Sequence, residues 1–446
     1  MLDFSVGREL PHGFSVQATY VGRLAHRLLT QSDLAMPLDL VDPKSGIDYF
    51  TAIRPLSEAA RNGVQTQSFD PASLSPGVAQ YWADMIQPLG PGGEYRIRKC
   101  TGTDSGGNAI VTGTTIPVVA VYDLNCPFAS AIGETTTIQV LDQVGIRDLN
   151  NSSVFYQGIG ASEPNAGTQS AYTWLSPQFA SLYAWRSNST SNYHALQLNL
   201  RKSYSQGVQF DFNYTFSKSI DIASDAQRIQ GTTGGLGGQV INVWSPDQHR
   251  SVSDFDTTHQ INANFVAELP FGRGKWLARD AGRGIDAVIG GWQLSGLARW
   301  TSGFPVSVSN GAIWPTNWEL SGFAETIGKP ITKKTKMPGG GINLFGDPQG
   351  PNGIGAFRGD FPGESGQRNT LRGDGFAGLD LALSKLWKIT ESQGIRFRWE
   401  VFNVTNLTRF NVQALSLSLT RSSTFGNYTG LLTQPRVMQF ALRYEF

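Results

Sequence analysis

Apolar side chains recur at every second position along several separate stretches of this chain, the period of a strand with one apolar and one polar face. Leu2, Phe4 and Val6 alternate with Asp3, Ser5 and Gly7, and Phe14, Val16, Ala18 and Tyr20 alternate with Ser15, Gln17 and Thr19. The pattern resumes at Leu196, Leu198 and Leu200, then at Val208, Phe210, Phe212, Tyr214 and Phe216. It continues through Ile261, Ala263, Phe265 and Ala267, and through Trp292, Leu294, Ala298 and Trp300. The last three stretches are Leu379, Leu381 and Leu383, then Ile395, Phe397, Trp399 and Val401, then Phe440, Leu442, Tyr444 and Phe446. Nine strands of about 8–12 residues are predicted. A tilted strand needs about 9–11 residues to cross a bilayer core, whereas strands of soluble sheets average nearer 5–6.

The connections alternate in length as well. Tight turns are expected at 9–13, 203–207 and 389–394, and long connections at 22–192, 218–257, 302–376 and 406–434. Long loops on one side and short turns on the other are the layout of an outer-membrane barrel. The predicted fold is therefore all-β, an antiparallel transmembrane β-barrel portion of about nine strands with long extracellular loops. A soluble sandwich with one wet face also alternates. The membrane reading rests on the size of the apolar side chains along one face. It rests also on Tyr20, Trp292, Trp300, Tyr444 and Phe446 near strand ends, where interfacial girdles lie.

Composition changes this picture little. Lys+Arg number 36 against 35 Asp+Glu, so nothing electrostatic points to nucleic acid. No run approaches the roughly 18 uninterrupted apolar residues of a membrane helix, the longest being IPVVAVY at 116–122. The opening MLDFSVGREL has neither the basic start nor the apolar core of a signal peptide, which alone would point to the cytoplasm. The strand pattern points instead to the outer membrane of a Gram-negative bacterium.

Four stretches carry a resemblance: NYHALQLNLRKSYSQGVQFDFNYTFSKSID, SDFDTTHQINANFVAELPFGRGK, GGWQLSG and TSGFPVSV. With RNTLRGDGFAGLDLALSK and RFRWEVFNVTNLTRFN they resemble, in order, the C-terminal barrel of TonB-dependent outer-membrane receptors of the Oar-like branch. The similarity is dense over 190–446 and looser over 1–40. It implies a larger barrel filled by an N-terminal plug, taking up a bulky ligand with energy delivered by TonB. No catalytic activity and no cofactor are expected. On this resemblance the plug, the TonB-interacting segment and the signal peptide of that family are expected to lie outside residues 1–446. The expectation is thus roughly the last nine strands of a receptor, not transport-competent alone, with plug and TonB as partners only where an N-terminal half exists. The other expected partners are outer-membrane lipid and the outer-membrane assembly machinery. The terminal strand, with Phe440, Leu442, Tyr444 and Phe446, is similar to the signal that machinery reads.

Three regions are expected: a barrel hairpin at 1–21, a long extracellular insertion at 22–192, and the C-terminal barrel strands at 193–446. Within the insertion, TTIPVVAVYDL and ETTTIQVLDQV read as two short strands, a hairpin or small β subdomain. Cys100 and Cys126 lie there and form a disulfide pair if the loop is exported. GTTGGLGG at 231–238 reads as a flexible linker. Other functions consistent with the pattern are an outer-membrane binding or adhesion protein acting through 41–180, and a passive pore.

Enzyme signatures are missing: no HExxH, no GxSxG elbow and no Walker A loop. FGRGKW at 271–276 reads as a basic periplasmic turn. In SDFDTTH, Asp254, Asp256 and His259 have the residue types to bind a hard cation, or the aspartates cap turns where a strand begins. Arg396, Arg398, Glu400, Arg443 and Glu445 fall on the inward faces of neighbouring strands, as cross-strand charge pairs or as contacts to a plug.

Overall fold

The computed structural model describes residues 1–34, 39–65, 68–85, 95–103, 109–124, 182–224, 239–314 and 317–446. All nine predicted strands are present: β1 (Leu2–Leu10), β2 (Phe14–Asp33), β3 (Tyr183–Ser205), β4 (Val208–Asp221), β5 (His259–Glu268), β6 (Trp292–Thr301), β7 (Ala377–Lys388), β8 (Gly394–Phe402) and β9 (Val437–Glu445). They form one open antiparallel meander in sequence order, to which Gln239–Val240 and Ser251–Val252 add short strands against β2 and β4. Among the described residues β1 pairs only with β2, and β9 only with β8, so both are edges.

Register fixes which side chains share a face, because a slip of one residue would turn a whole strand over. One row crosses the entire sheet: Leu10, Phe14, Lys202, Phe210, Phe265, Gly296, Leu381, Val401 and Met438. It starts at the short turn beside β1 and ends at the long-loop end of β9. The strands are therefore staggered, the shear that a curving barrel wall requires. On the opposite face Gln17, Asn199, Asn213, Asn262 and Arg299 lie side by side.

Among the described residues the apolar face carries no second protein layer; only the short 269–291 segment touches it, at the short-turn rim. None of the buried hydrophobic clusters includes a residue from it, and Phe440 and Leu442 are 68% and 72% exposed. A soluble domain rarely shows a continuous apolar face of this extent. A sandwich would have buried it against a second sheet, so the wall is a lipid-facing one. Aromatic groups mark both rims. At the long-loop rim His259 is hydrogen-bonded to Tyr214 (2.8 Å), stacks on its ring and lies tilted against Phe216 and Trp300. At the other rim Trp292 packs edge-on to Trp387 and Phe397, and Tyr444 stacks on Phe446.

Short turns obey local backbone chemistry. Gln206 and Gly207 both have positive φ, 54° and 77°, the two-residue hairpin turn whose twist matches its strands. The longer strands depart from the sequence expectation. β2 and β3 have 20 and 23 residues, so they run on past a bilayer core as a ribbon, and the expected boundaries at 21/22 and 192/193 fall inside them. A bulge beside Arg27, whose φ is +58°, breaks the alternation further along the extension.

The insertion is not a purely β unit. It contains α1 (Tyr49–Arg61), α2 (Pro76–Met85), a hairpin of Tyr95–Thr103 with Ala109–Thr114, and α3 (Pro117–Leu124). Asp48 caps α1 by accepting from Thr51 N at 2.7 Å. Tyr49, Ile53, Leu56, Tyr81, Trp82, Met85, Val121 and Tyr122 form its core. The stretch TTIPVVAVYDL, expected as a strand, folds as α3 because Pro117 opens a helix and a short apolar run fits either period. ETTTIQVLDQV and the 231–238 linker lie outside the described residues. A last helix, α4 (Arg283–Ile289), sits in the connection between β5 and β6.

Candidate functional site at the long-loop end

The described parts of three connections, 239–258, 302–376 (less 315–316) and 403–436, fold together over the long-loop end of the sheet. Their apolar core includes Val308, Leu344, Phe345, Phe357, Leu417, Phe425 and Tyr428. Beneath it two motifs lock: the carboxylates of SDFDTTH meet the guanidinium and amide groups of RNTLRGDG. Arg368 binds Asp221 and reaches Asp254 at 3.4 Å; Arg368 and Asp221 side chains are both 4% exposed. Asn369 donates to Asp254 Oδ1 at 2.7 Å and to the Val252 carbonyl at 2.7 Å. Arg372 pairs with Asp256, whose other oxygen accepts from Ser219 N at 2.7 Å. Asp374 accepts from Lys334 (2.7 Å), Arg409 (3.0 Å) and Phe410 N (3.1 Å). A Cβ at Gly375 would lie 2.2 Å from the Thr301 carbonyl, so only glycine fits this crossing.

Below the Phe323 ring, His249 is fully buried. It accepts from Ile241 N at 3.1 Å, and burial together with Arg368 holds its imidazole down at about 3. The ring is therefore neutral and acts as an acceptor.

The insertion docks on this platform around Phe361, and Arg61 also donates to the Gly359 carbonyl at 2.7 Å. Phe361 lies against Arg61 (3.6 Å to the ring centroid), Arg54 (3.8 Å) and Arg358 (4.6 Å). Glu364 binds Arg54 at 2.7 Å and Arg358 at 2.6 Å. Although burial opposes ionisation, bonds from Arg358, Phe361 N and Arg54 hold Glu364 down at about 2. Asp360 next door is pushed up to about 9, first by burial and then by Glu325 and Glu364. Its Oδ2 accepts from Asn310 at 3.0 Å, and among the described residues its buried Oδ1 has no partner.

Two hollows open among these elements. One of about 630 Å³ lies between α1, the start of α2 and Pro362–Glu364 of the platform. The other, about 470 Å³, lies on the polar face of the sheet below the loops, with Arg299, Asp380 and Asn403 among Leu297, Phe376, Phe402 and Pro435. Both mix apolar walls with a few charges, the composition of ligand pockets.

Asp254, Asp256 and His259 do not converge. The aspartates serve Arg368, Asn369 and Arg372, and His259 sits in the aromatic rim. Among the described residues no group of His, Cys, Asp and Glu has the arrangement of a metal site. Arg396, Arg398, Glu400, Arg443 and Glu445 do share the polar face of β8 and β9, where Arg396 meets Glu445 at 2.8 Å and Arg398 lies against Glu400. Phe440, Leu442, Tyr444 and Phe446 are exposed, three of them along the apolar side of β9. Cys126 lies outside the described residues, as does the Cys100 side chain. Sequence reasoning passed over Arg368, Arg372, Asp374, Phe361 and His249. The signal for the first three was the cluster of charges in RNTLRGDG.

The chain belongs to the family of the outer membrane beta barrel domain, whose profile matches residues 127–439. Among solved structures, the outer membrane transporter YddB from Escherichia coli matches with 10% identity and a TM-score of 0.28, over 59% of this chain and 26% of YddB. The chain thus spans about a quarter of that transporter's length. No curated protein matches it.

Proposed function

We propose that the chain forms the C-terminal part of the wall and outer vestibule of a TonB-dependent, Oar-like receptor that takes up a bulky ligand and has no catalytic role. The observation that carries this reading is an open lipid-facing wall topped by locked loops and bearing paired charges on its inner face. In this reading the long-loop end is extracellular and the short-turn end periplasmic. The loop platform and its two hollows gather ligand, and Arg396, Arg398, Glu400, Arg443 and Glu445 face a plug. The outer-membrane assembly machinery engages β9. Transport requires the rest of a receptor, since an open nine-strand wall encloses no path. A photo-crosslinker at Arg398 in cells tests this. The expected product joins β8 to a plug polypeptide; ion conductance with no such product would make the chain part of a passive pore.

A second reading has its own observation. Among the described residues the insertion has a separate core of thirteen buried residues around Tyr81 and Trp82, so it is built to present a surface as well as to cover the barrel. An outer-membrane binding or adhesion role would follow if cells lost surface attachment, but kept uptake, when 41–180 is removed.

A further inference from the structure

One connection at the short-turn end is not short. Residues 269–291 join β5 to β6 and form a small body of their own. Leu277 N donates to the Pro270 carbonyl (2.9 Å), Gly272 N to the Leu277 carbonyl (3.0 Å) and Gly274 N to the Arg279 carbonyl (3.0 Å). Asp286 of α4 accepts from Arg273 N at 2.6 Å. A Cβ at Gly272, where φ is +113°, would come within 2.7 Å of Gly290 Cα, so loop and helix pack as one piece.

That piece is fixed to the lipid-facing side of the wall. Trp292 Nε1 donates to the Val288 carbonyl at 2.8 Å, Trp387 Nε1 to the Ala287 carbonyl at 2.7 Å, and Lys385 Nζ to the Ala287 carbonyl at 2.7 Å. Trp292, Lys385 and Trp387 all belong to the apolar face by register. The carbonyl end of α4 is thereby satisfied without water, as a helix end at a membrane boundary must be. Its outer side carries Ile285 and Val288, 60% and 67% exposed, and the adjoining loop carries Trp276 at 84%. Arg273, Arg279 and Arg283 are exposed, and no carboxylate among the described residues pairs with them. Apolar groups continuous with a lipid-facing wall, beside unpaired cations, match the chemistry of an interfacial segment.

We propose that residues 269–291 are an in-plane foot that binds the periplasmic leaflet of the outer membrane. Trp276, Ile285 and Val288 enter the acyl boundary, and Arg273, Arg279 and Arg283 meet the phosphates of anionic phospholipid. The inference rests on the wall lying in a bilayer, so its test carries that control. In the full chain with Cys100→Ser and Cys126→Ser, single cysteines at Ile285, Val288 or Leu442 receive a polarity-sensitive fluorophore. The protein is inserted into phosphatidylcholine vesicles with or without phosphatidylglycerol, and nitroxide lipids quench from shallow or deep positions. The foot predicts strong shallow quenching at Ile285 and Val288, and deep quenching at Leu442. It predicts that Arg273→Gln, Arg279→Gln and Arg283→Gln together, or omission of phosphatidylglycerol, remove most of the shallow quenching. Quenching at Leu442 alone overturns the foot and leaves the wall standing; no quenching at any site overturns both. Undiminished quenching without phosphatidylglycerol overturns the anionic-lipid half of the proposal.

Discussion

At the scale of single residues, the chemistry of this protein is concentrated where loops meet strand ends. Asp254 and Asp256 look like cation ligands in the sequence because their partners lie more than a hundred residues away: Asn369, Arg368 and Arg372. Spacing within a motif reveals local chemistry only, so half of an ion-pair network reads as a metal site. The buried Arg368–Asp221 pair should be costly to break from one side, because the remaining charge keeps its desolvation penalty. Arg368→Ala is expected to destabilise the platform by roughly 3–5 kcal/mol. Protease cleavage within 239–258 and 302–376 of the membrane-inserted protein checks this, and an unchanged cleavage rate would count against it.

Two buried titratable groups give the platform opposite responses to pH. His249 stays neutral in the fold down to about 3, while the unfolded chain takes up a proton below its ordinary 6.5. Its contribution is intact above 6.5 and is lost as pH falls from there toward 3. Asp360 stays protonated in the fold up to about 9, while the unfolded chain ionises above 3.8. Its contribution is intact below 3.8 and is lost as pH rises toward 9. Between pH 6.5 and 9 only the Asp360 limb remains of the two, so Asp360→Asn should flatten the fall of the platform's urea midpoint over that range. A slope identical to that of the unaltered protein would contradict the assignment.

At the scale of elements, strands were legible and helices were not. Alternation survives in a lipid-facing wall because lipid enforces apolarity on one side of every strand, as in Val208–Asp221, where each outward residue from Val208 to Phe216 is apolar. It fails where water surrounds both faces, as along the parts of β2 and β3 that run past the bilayer core. In α1, apolar Tyr49, Ala52, Ile53 and Leu56 do follow a helical period after the Asp48 cap, but Pro55 within it masks the signal. Trp82 lies at the centre of that unit with its Nε1 bonded to the Ala52 carbonyl at 3.1 Å. Trp82→Ala should cost about 3–5 kcal/mol and unfold the insertion before the wall, visible as loss of near-UV circular dichroism with strand content kept. For β9, replacing Tyr444 and Phe446 by alanine should lower the amount of protein reaching the outer membrane. Equal amounts in fractionated membranes would remove the assembly role.

At the scale of the whole molecule, direction of strands constrains what can complete the wall. In an antiparallel meander of nine strands, β1 and β9 run the same way. Pairing these two edges directly would make a parallel seam, so a fully antiparallel ring needs an odd number of further strands between them. The claim on which everything else rests is simpler: the wall stands in a bilayer with even-numbered residues of β9 toward lipid. Spin labels placed singly from Gln439 to Tyr444, in the full chain inserted into bilayers, measure this directly through collision with oxygen and with an aqueous nickel chelate. A two-residue period is predicted, with Phe440, Leu442 and Tyr444 open to oxygen and shielded from nickel, and Gln439, Ala441 and Arg443 the reverse. Nickel access at all six sites without alternation would mean that the sheet lies in water, and the membrane account would be wrong.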